Sequence, residues 1–316
     1  MITAYVMREG GLDAMQLKTE DNRLPQDAIW LDAYRLSDEE REWLTDVILK
    51  DVPEEEELDD IEASSRFFLD SDGIHILSLF PQRVGNETIG VNVSFTLKGK
   101  LLISYRDDDI GVLRLLRHYI KHDSHLVSSA LDVILELQDL KIEYLSDLIE
   151  DGYETLQENS KHVLKEDQTE EMLRELLFQE STNGQIHLAL HDTRRSLRFI
   201  LKVLGPKLSE KQHQNVMEVL ADIESLLPHT QFLFDKIDFQ LEAATGFTNL
   251  QQNRVIKMFS VVAVLFMPPT LIASLYGMNF AHMPELSLKF GYPLALLLMV
   301  ASACFTYLFF KKKKWM

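Results

Sequence analysis

The sequence predicts an α+β domain followed by a long stalk helix and two C-terminal transmembrane helices. Three observations carry this expectation. Two uncharged runs, 258–275 and 292–310, are each long enough to cross a bilayer. Charge is divided unevenly: residues 254–316 hold seven basic residues against one acid, Glu285, whereas residues 1–253 hold 25 against 49. Short segments of alternating apolar residues occupy the first third, and helical periodicity takes over after residue 109.

The elements follow in chain order. The N-terminus, MITAYVMREGGLDAM, lacks the charged start and apolar core of a signal peptide. Segments 28–34, 67–80 and 88–106 read as strands. The last two contain turn residues, at 70–73 and at Lys98-Gly99-Lys100, and so read as antiparallel hairpins. Helical patterns lie near 38–50 and 54–64, then over 125–165 and 169–204. Gly205-Pro206 breaks the pattern, and Ser209 opens SEKQ, a capping-box signal. The next helix can continue to Leu275, with Pro228 as its one interruption before the membrane. Unbroken, it would be about 100 Å long. Such a helix cannot bury itself in one compact domain, so it suggests a stalk within an oligomer. The alternative is a helix-turn-helix break at Pro228, because proline removes a donor and crowds the preceding turn.

As a helix, the 258–275 run is about 27 Å long, close to the hydrocarbon thickness of a membrane. Arg254 and Lys257 precede it, and Lys311, Lys312, Lys313 and Lys314 follow the second run. Positive flanks on the same side place both termini in the cytoplasm and the intervening loop outside. Tyr276, Tyr292 and Trp315 stand at the boundaries, where aromatic belts belong. The expected organisation is a cytoplasmic α/β and helical domain over 1–205 and a stalk over 206–257. The first span then covers 258–276, an external loop 277–291, the second span 292–310 and a basic tail 311–316.

The first span is not uniformly apolar. Asn253, Ile256, Ser260, Ala263, Met267, Thr270 and Ser274 recur at alternating steps of three and four, the seam of a helix that faces partner helices. Val261, Val262, Leu265, Phe266 and Leu271 lie largely off it. Small and polar residues serve both tight packing and pore walls, so spacing leaves the two readings open. Pro268-Pro269 frees backbone carbonyls in mid-membrane, which suits either a tolerated kink or a wet pore.

The surplus of acids, a formal charge of −18, speaks against a nucleic-acid partner. The single cysteine, Cys304, allows no intrachain disulfide and no cysteine-based zinc site. Walker, GxGxxG and GxSxG motifs are absent, so neither a nucleotide cofactor nor enzyme chemistry is expected. His118 and His122, like His187 and His191, are four apart, a metal-compatible spacing, but HLALH lacks the glutamate of a zinc protease. The acidic run at 54–57, with Asp59, Asp60 and Glu62, suits hard divalent cations and equally a solvated first helical turn after Pro53.

From Glu242 to Met316 the chain closely resembles the CorA family of divalent-cation channels. The match is carried by Asn253-Arg254, Phe266-Met267-Pro268, Thr270, Tyr276-Gly277-Met278-Asn279-Phe280 and Met283-Pro284-Glu285-Leu286. Upstream, 222–229 (DIESLLPH), Glu62-Ala63-Ser64 and Arg66-Phe67-Phe68 look like the enterobacterial-type branch of that family. The resemblance implies a homopentameric membrane channel of the cell inner membrane. An α/β/α cytoplasmic funnel is implied, with long stalks running into first spans that surround the pore.

The resemblance also assigns roles. Asn253, Met267, Thr270 and Asn279 match pore-lining positions, and Phe259 matches a bulky constriction beside the stripe, so the pore reading of the stripe outweighs packing. Gly277, Met278 and Asn279 become the entry filter. The cargo implied is hydrated Mg2+, with Co2+ and Ni2+ as secondary ions, taken up down the membrane potential. Internal Mg2+ between subunits would favour closure: Asp59 and Asp60 match the family's acidic pair before Ile61, and Glu218 is their partner by its distance from Asn253. Glu285 could enrich cations at the outer mouth. A zinc or efflux transporter of the same plan, and a membrane-anchored cation sensor that conducts nothing, are the rival readings.

Overall fold

The computed structural model describes residues 1–8, 11–19, 24–49, 66–85, 87–123, 126–162, 169–278, 283–284 and 288–313. The helical pattern expected near 54–64 lies outside them. The chain divides into two compact units, Met1–Leu241 and Glu242–Met316.

The first unit is built on a seven-stranded sheet. Its strands are β1 (Ile2–Arg8), β2 (Gly11–Leu17), β3 (Ala28–Tyr34), β4 (Phe67–Leu69), β5 (Ile74–Val84), β6 (Glu87–Lys98) and β7 (Leu101–Arg106). Their order is β2-β1-β3-β7-β6-β5-β4. The two expected hairpins form. Between β4 and β5, Asp70 Oδ1 accepts from the Asp72 and Gly73 amides at 2.7 and 3.1 Å. Gly73 takes φ +136°, and a Cβ there would stand 2.2 Å from the Leu97 carbonyl oxygen. Gly99 supplies the left-handed residue, φ +62°, of the β6–β7 turn.

Two features of the sheet go beyond the expected hairpins. The N-terminal stretch, read only as lacking a signal peptide, forms the β1–β2 hairpin at the sheet edge. β3 and β7 pair in parallel, with Trp30 opposite Leu102 and Asp32 opposite Ser104.

Alternation along the strands gives the sheet two apolar faces. Leu31, Ala33, Ile103 and Tyr105 pack with Trp43 and Leu44 of helix α1 (Asp38–Val47). Helices α3 (Ala130–His162) and α4 (Thr169–Leu204) lie along the sheet, α3 against β3 and β7 and α4 against β5 and β6. Buried polar groups tie these layers together. Asp32 holds the buried Arg106 guanidinium and, at 3.5 Å, Arg117 from α2 (Gly111–His122). Lys141 of α3 donates to Ser78 Oγ at 3.1 Å and stands 4.4 Å over the Phe80 ring. Burial pushes this ammonium's pKa down to about 8. Asp192 of α4 accepts from the Leu79 amide at 2.9 Å and pairs with Arg66 at 3.1 Å.

After the 3₁₀ turn Gly205–Lys207, helix α5 runs from Glu210 to Tyr276, 67 residues without a break. Ser209 caps it as expected: Gln212 N–H donates to Ser209 Oγ at 3.2 Å, and the Ser209 amide to Gln212 Oε1 at 3.0 Å. The break held open at Pro228 does not occur. In the second unit, α5 continues through Pro268 and Pro269, and α6 (Gly291–Lys312) provides the second apolar helix. Both are long and apolar enough to cross a membrane.

Candidate functional site

At about 100° per residue, the seven stripe residues of α5 share an arc about 100° wide, with Leu271 at its edge rather than off it. Asn253, Ile256, Ser260, Ala263, Met267, Thr270 and Ser274 are all exposed on the single chain. So is Phe259, beside the arc, at 65 %. The side shaded by the rest of the chain is roughly opposite: Val261 is buried, and Leu265, Pro268, Pro269, Ile272 and Tyr276 are half-buried. On α6 the shaded residues, Ala295, Met299, Ser302, Ala303, Thr306 and Phe310, repeat the same helical spacing. Each span therefore turns one strip inward and leaves the remainder bare. On α5, the bare part includes the small and polar stripe.

The stripe's hydroxyls are directional. Ser260 Oγ donates to the Ile256 carbonyl at 2.8 Å, and Thr270 Oγ1 to the Phe266 carbonyl at 2.7 Å. Each hydroxyl has one proton, now spent within the helix, so its lone pairs are what remain for outside partners. Pro268 and Pro269 lack the amide hydrogens that would bind the carbonyls of Val264 and Leu265, but both prolines and Leu265 lie on the shaded side, away from the stripe. Ser260 and Thr270 thus offer acceptors rather than donors along the arc, which matches the outward hydrogens of a hydrated cation.

The helix ends at the Gly-Met-Asn segment. Gly277 N–H donates to the Ala273 carbonyl at 2.9 Å, and Met278 N–H to the Leu275 carbonyl at 3.4 Å. A Cβ on Gly277 would lie 3.3 Å from the Ala273 oxygen, so glycine permits the chain to leave the helix close to its last turn. Asn279 and Glu285 lie outside the described residues, as do Asp59 and Asp60.

Glu218 is exposed on α5, where its Oε1 accepts from Gln214 Nε2 at 2.8 Å. It belongs to an acidic face that sequence reasoning missed. Burial raises the pKa of Asp139 on α3, and the charges of Glu143, Asp222 and Glu218 raise it further. Burial likewise raises Glu136, with Asp139 and Glu143 adding to it. Asp139, Glu143, Asp222 and Ser225 line an open groove of about 480 Å³ between α3 and α5. The available signal was two carboxylate pairs at four-residue spacing, 139/143 and 218/222.

The histidine pairs form ring contacts. The His118 and His122 centroids are 4.2 Å apart, and His122 Nδ1 bonds to the His118 carbonyl at 2.9 Å. The His187 and His191 centroids are 4.6 Å apart. Among the described residues, no three His, Cys, Asp or Glu side chains are arranged to hold a metal ion.

Comparison with known proteins agrees along the whole chain. Residues 25–312 match the family described as CorA-like Mg2+ transporter protein. The chain is 40% identical over 320 residues to the Magnesium transport protein CorA of Haemophilus influenzae, covering all of both. It is 39% identical to that of Yersinia pseudotuberculosis and 38% identical to that of Salmonella typhimurium, again at full coverage. In fold it is similar to the complete CorA magnesium transporter of Methanocaldococcus jannaschii, with TM-score 0.75 and 18% identity over 100% of this chain and 99% of the other. The full-length CmaX protein is also similar, with TM-score 0.68 and 17% identity over 99% and 97%. With its two apolar helices, this is a membrane protein. Matching sequence over its full length and matching architecture together make the chain a member of the CorA family.

Proposed function

We propose that this chain assembles as a homopentamer and conducts Mg2+ into the cell, with Co2+ and Ni2+ as secondary cargo. The observation that carries the reading is the bare, acceptor-rich arc of the first span, ending at Gly277-Met278-Asn279. Full-length relatives named as magnesium transport proteins support the choice of ion.

Magnesium loses water reluctantly, and a site that stripped it would need rigid octahedral carboxylates. The first span has none. A hydrated ion therefore suits the pore better. Five Asn279 carbonyl oxygens at the mouth would accept from its water shell without holding it so tightly that exit stalls. Ser260 and Thr270, their own protons committed to the helix, would continue that acceptor path. A divalent ion gains roughly twice 2.3 kcal/mol per 100 mV of membrane potential, so no nucleotide motor or catalytic step is required. This reading places the chain in the inner membrane with both termini cytoplasmic, as the basic flanks Arg254, Lys257, Lys311, Lys312 and Lys313 favour.

Closure would come from internal Mg2+ bridging neighbouring subunits through Asp59, Asp60 and Glu218. Glu218 also faces Asp139, Glu143 and Asp222 within the chain. Burial raises the Asp139 pKa and the neighbouring carboxylates raise it further, which supports a cation on this face. A divalent ion would relieve that repulsion.

The test is voltage-driven Mg2+ flux into liposomes carrying the purified protein at low internal Mg2+. The wild type should conduct, and Asn279→Ala should lose uptake while still assembling. Normal uptake by the variant removes Asn279 from the entry step. No flux in the wild type supports the sensor, and outward-only or zinc-selective flux supports the related transporters.

A further inference from the structure

Helix α4 grips α5 around Pro228 through a line of polar side chains. Asn183 Nδ2 donates to the Thr230 carbonyl at 2.8 Å. His187 Nδ1 lies 2.8 Å from Thr230 Oγ1, which itself donates to the Leu227 carbonyl at 2.8 Å. The threonine has one proton, so the proton in the histidine bond comes from His187 Nδ1. One turn further along α4, Arg194 Nη2 lies 2.9 Å from His191 Nδ1, and Arg194 Nη1 reaches Glu224 of α5 at 3.2 Å. Arg198 meets the same carboxylate at 3.3 Å. A guanidinium can only donate, so His191 must present a bare Nδ1 lone pair and carry its proton on Nε2.

That geometry makes His191 intolerant of a second proton. Protonated, Nδ1–H would point at a guanidinium N–H, and an attractive bond would become a contact between two cations. His187, 4.6 Å away by ring centroids, sits on the same face of α4. Glu224 is the carboxylate facing them from α5, and two arginines already hold it. Asp192, next in sequence, turns to the sheet and binds the Leu79 amide and Arg66. On α3, Tyr153 meets His229 of α5 at 2.9 Å rather than this pair. Burial, with His187 and Arg194, lowers the His191 pKa, while Glu224 opposes the shift.

The place matters as much as the pair. Pro228 cannot donate to the Glu224 carbonyl, so α5 is missing a backbone bond within the gripped segment. We propose that the α4–α5 seam at Pro228 is a proton-sensitive clamp: uptake of a proton by His191 expels Arg194 and frees the proline turn of the long helix. The neutral imidazole is favoured in the closed seam, so an opened seam binds more protons. The clamp is then intact above the ordinary histidine range, near pH 6.5, and weakens as pH falls through and below it. This inference does not depend on which ion the protein carries.

The test is hydrogen exchange by mass spectrometry on the full chain in lipid nanodiscs, at about pH 7.5 and about pH 5.5, corrected for intrinsic rates. Protection over 222–234 should fall severalfold at the lower pH, while α3 over 130–149 keeps its protection. His191→Gln, which keeps an acceptor for Arg194 and cannot titrate, should abolish the change. An equal loss in that variant, or none in the wild type, overturns the proposal. A titration of the histidine ring by NMR gives an answer that needs no variant. Protonation of His191 at or above the ordinary histidine value would overturn the clamp, and protonation below it supports the clamp.

Discussion

Cysteine accessibility along the first span tests the pore assignment most directly. Cys304 is the only cysteine, so Cys304→Ala gives a clean background. Into it go Ala263→Cys, on the arc, and Val262→Cys, one residue and about 100° away. Both positions are exposed on the single chain, so chain-level burial predicts no difference between them. The assembly does predict one. In a pentamer built around the arc, position 263 meets water and position 262 meets lipid or a neighbouring helix. Methanethiosulfonate reagents attack the thiolate, which in water is about a tenth of the thiol at pH 7.5. Placing a charge in mid-membrane costs about 2.5–3.5 kcal/mol on insertion scales. Position 262 lies one turn inside the span, so the mid-membrane cost is a ceiling there; at about 1.4 kcal/mol per decade, the thiolate at 262 is suppressed by up to about a hundredfold relative to 263. The assay is the rate of modification by a charged reagent in proteoliposomes at low Mg2+, read by mass shift and by loss of flux. Ser260→Cys and Met267→Cys should follow Ala263→Cys, and Leu265→Cys should follow Val262→Cys. Comparable rates at 262 and 263, or silence at 260, 263 and 267 alike, would refute the arc as a water-facing wall.

Two further expectations concern the first unit. Asp32→Ala leaves the fully buried Arg106 guanidinium without its carboxylate and should cost about 3–5 kcal/mol, seen as a large drop in the thermal midpoint of the first unit. Retention of the wild-type midpoint would show that Arg106 finds another partner. Asp139→Asn should stabilise by up to about 1 kcal/mol at neutral pH, since the charge there is partly solvated. The folded-state pKa of Asp139 is raised, so the wild type bears its full penalty above that pKa and sheds it as pH falls toward the ordinary aspartate value. The gap in midpoint between variant and wild type should therefore close on acidification, and millimolar Mg2+ should stabilise the wild type more than the variant. A gap that widens on acidification would contradict the assigned repulsion.

What could be read in the sequence was what neighbours along the chain decide. Strand β3 occupies 28–34 as its apolar pattern indicates, and Gly73 and Gly99 stand where only a left-handed residue turns the chain. The hydropathy and charge of the last 63 residues likewise needed no partner to be recognised. The pieces that escaped are those decided by residues far away. ITAYVMR alternates like a strand, yet it becomes one only by pairing with both β2 and β3. The parallel bond between β3 and β7 joins Asp32 to Ser104, and no local pattern encodes it.

Pro228 shows the same limit from the other side. Local chemistry says that proline ends a helix, and α5 nonetheless continues, because Asn183 and His187 hold Thr230 across the proline turn. The acidic face is divided between 139/143 and 218/222, two innocuous helical pairs until α3 and α5 bring them together. The stripe on the first span is an intermediate case. Its spacing is fully visible in the sequence, but a helix with one polar face states only that something non-lipid must cover it. The structure adds that α6 is not that cover, since the shaded side of α5 lies roughly opposite the stripe. In the proposed pentamer, other copies of the chain and the water they enclose fill that role.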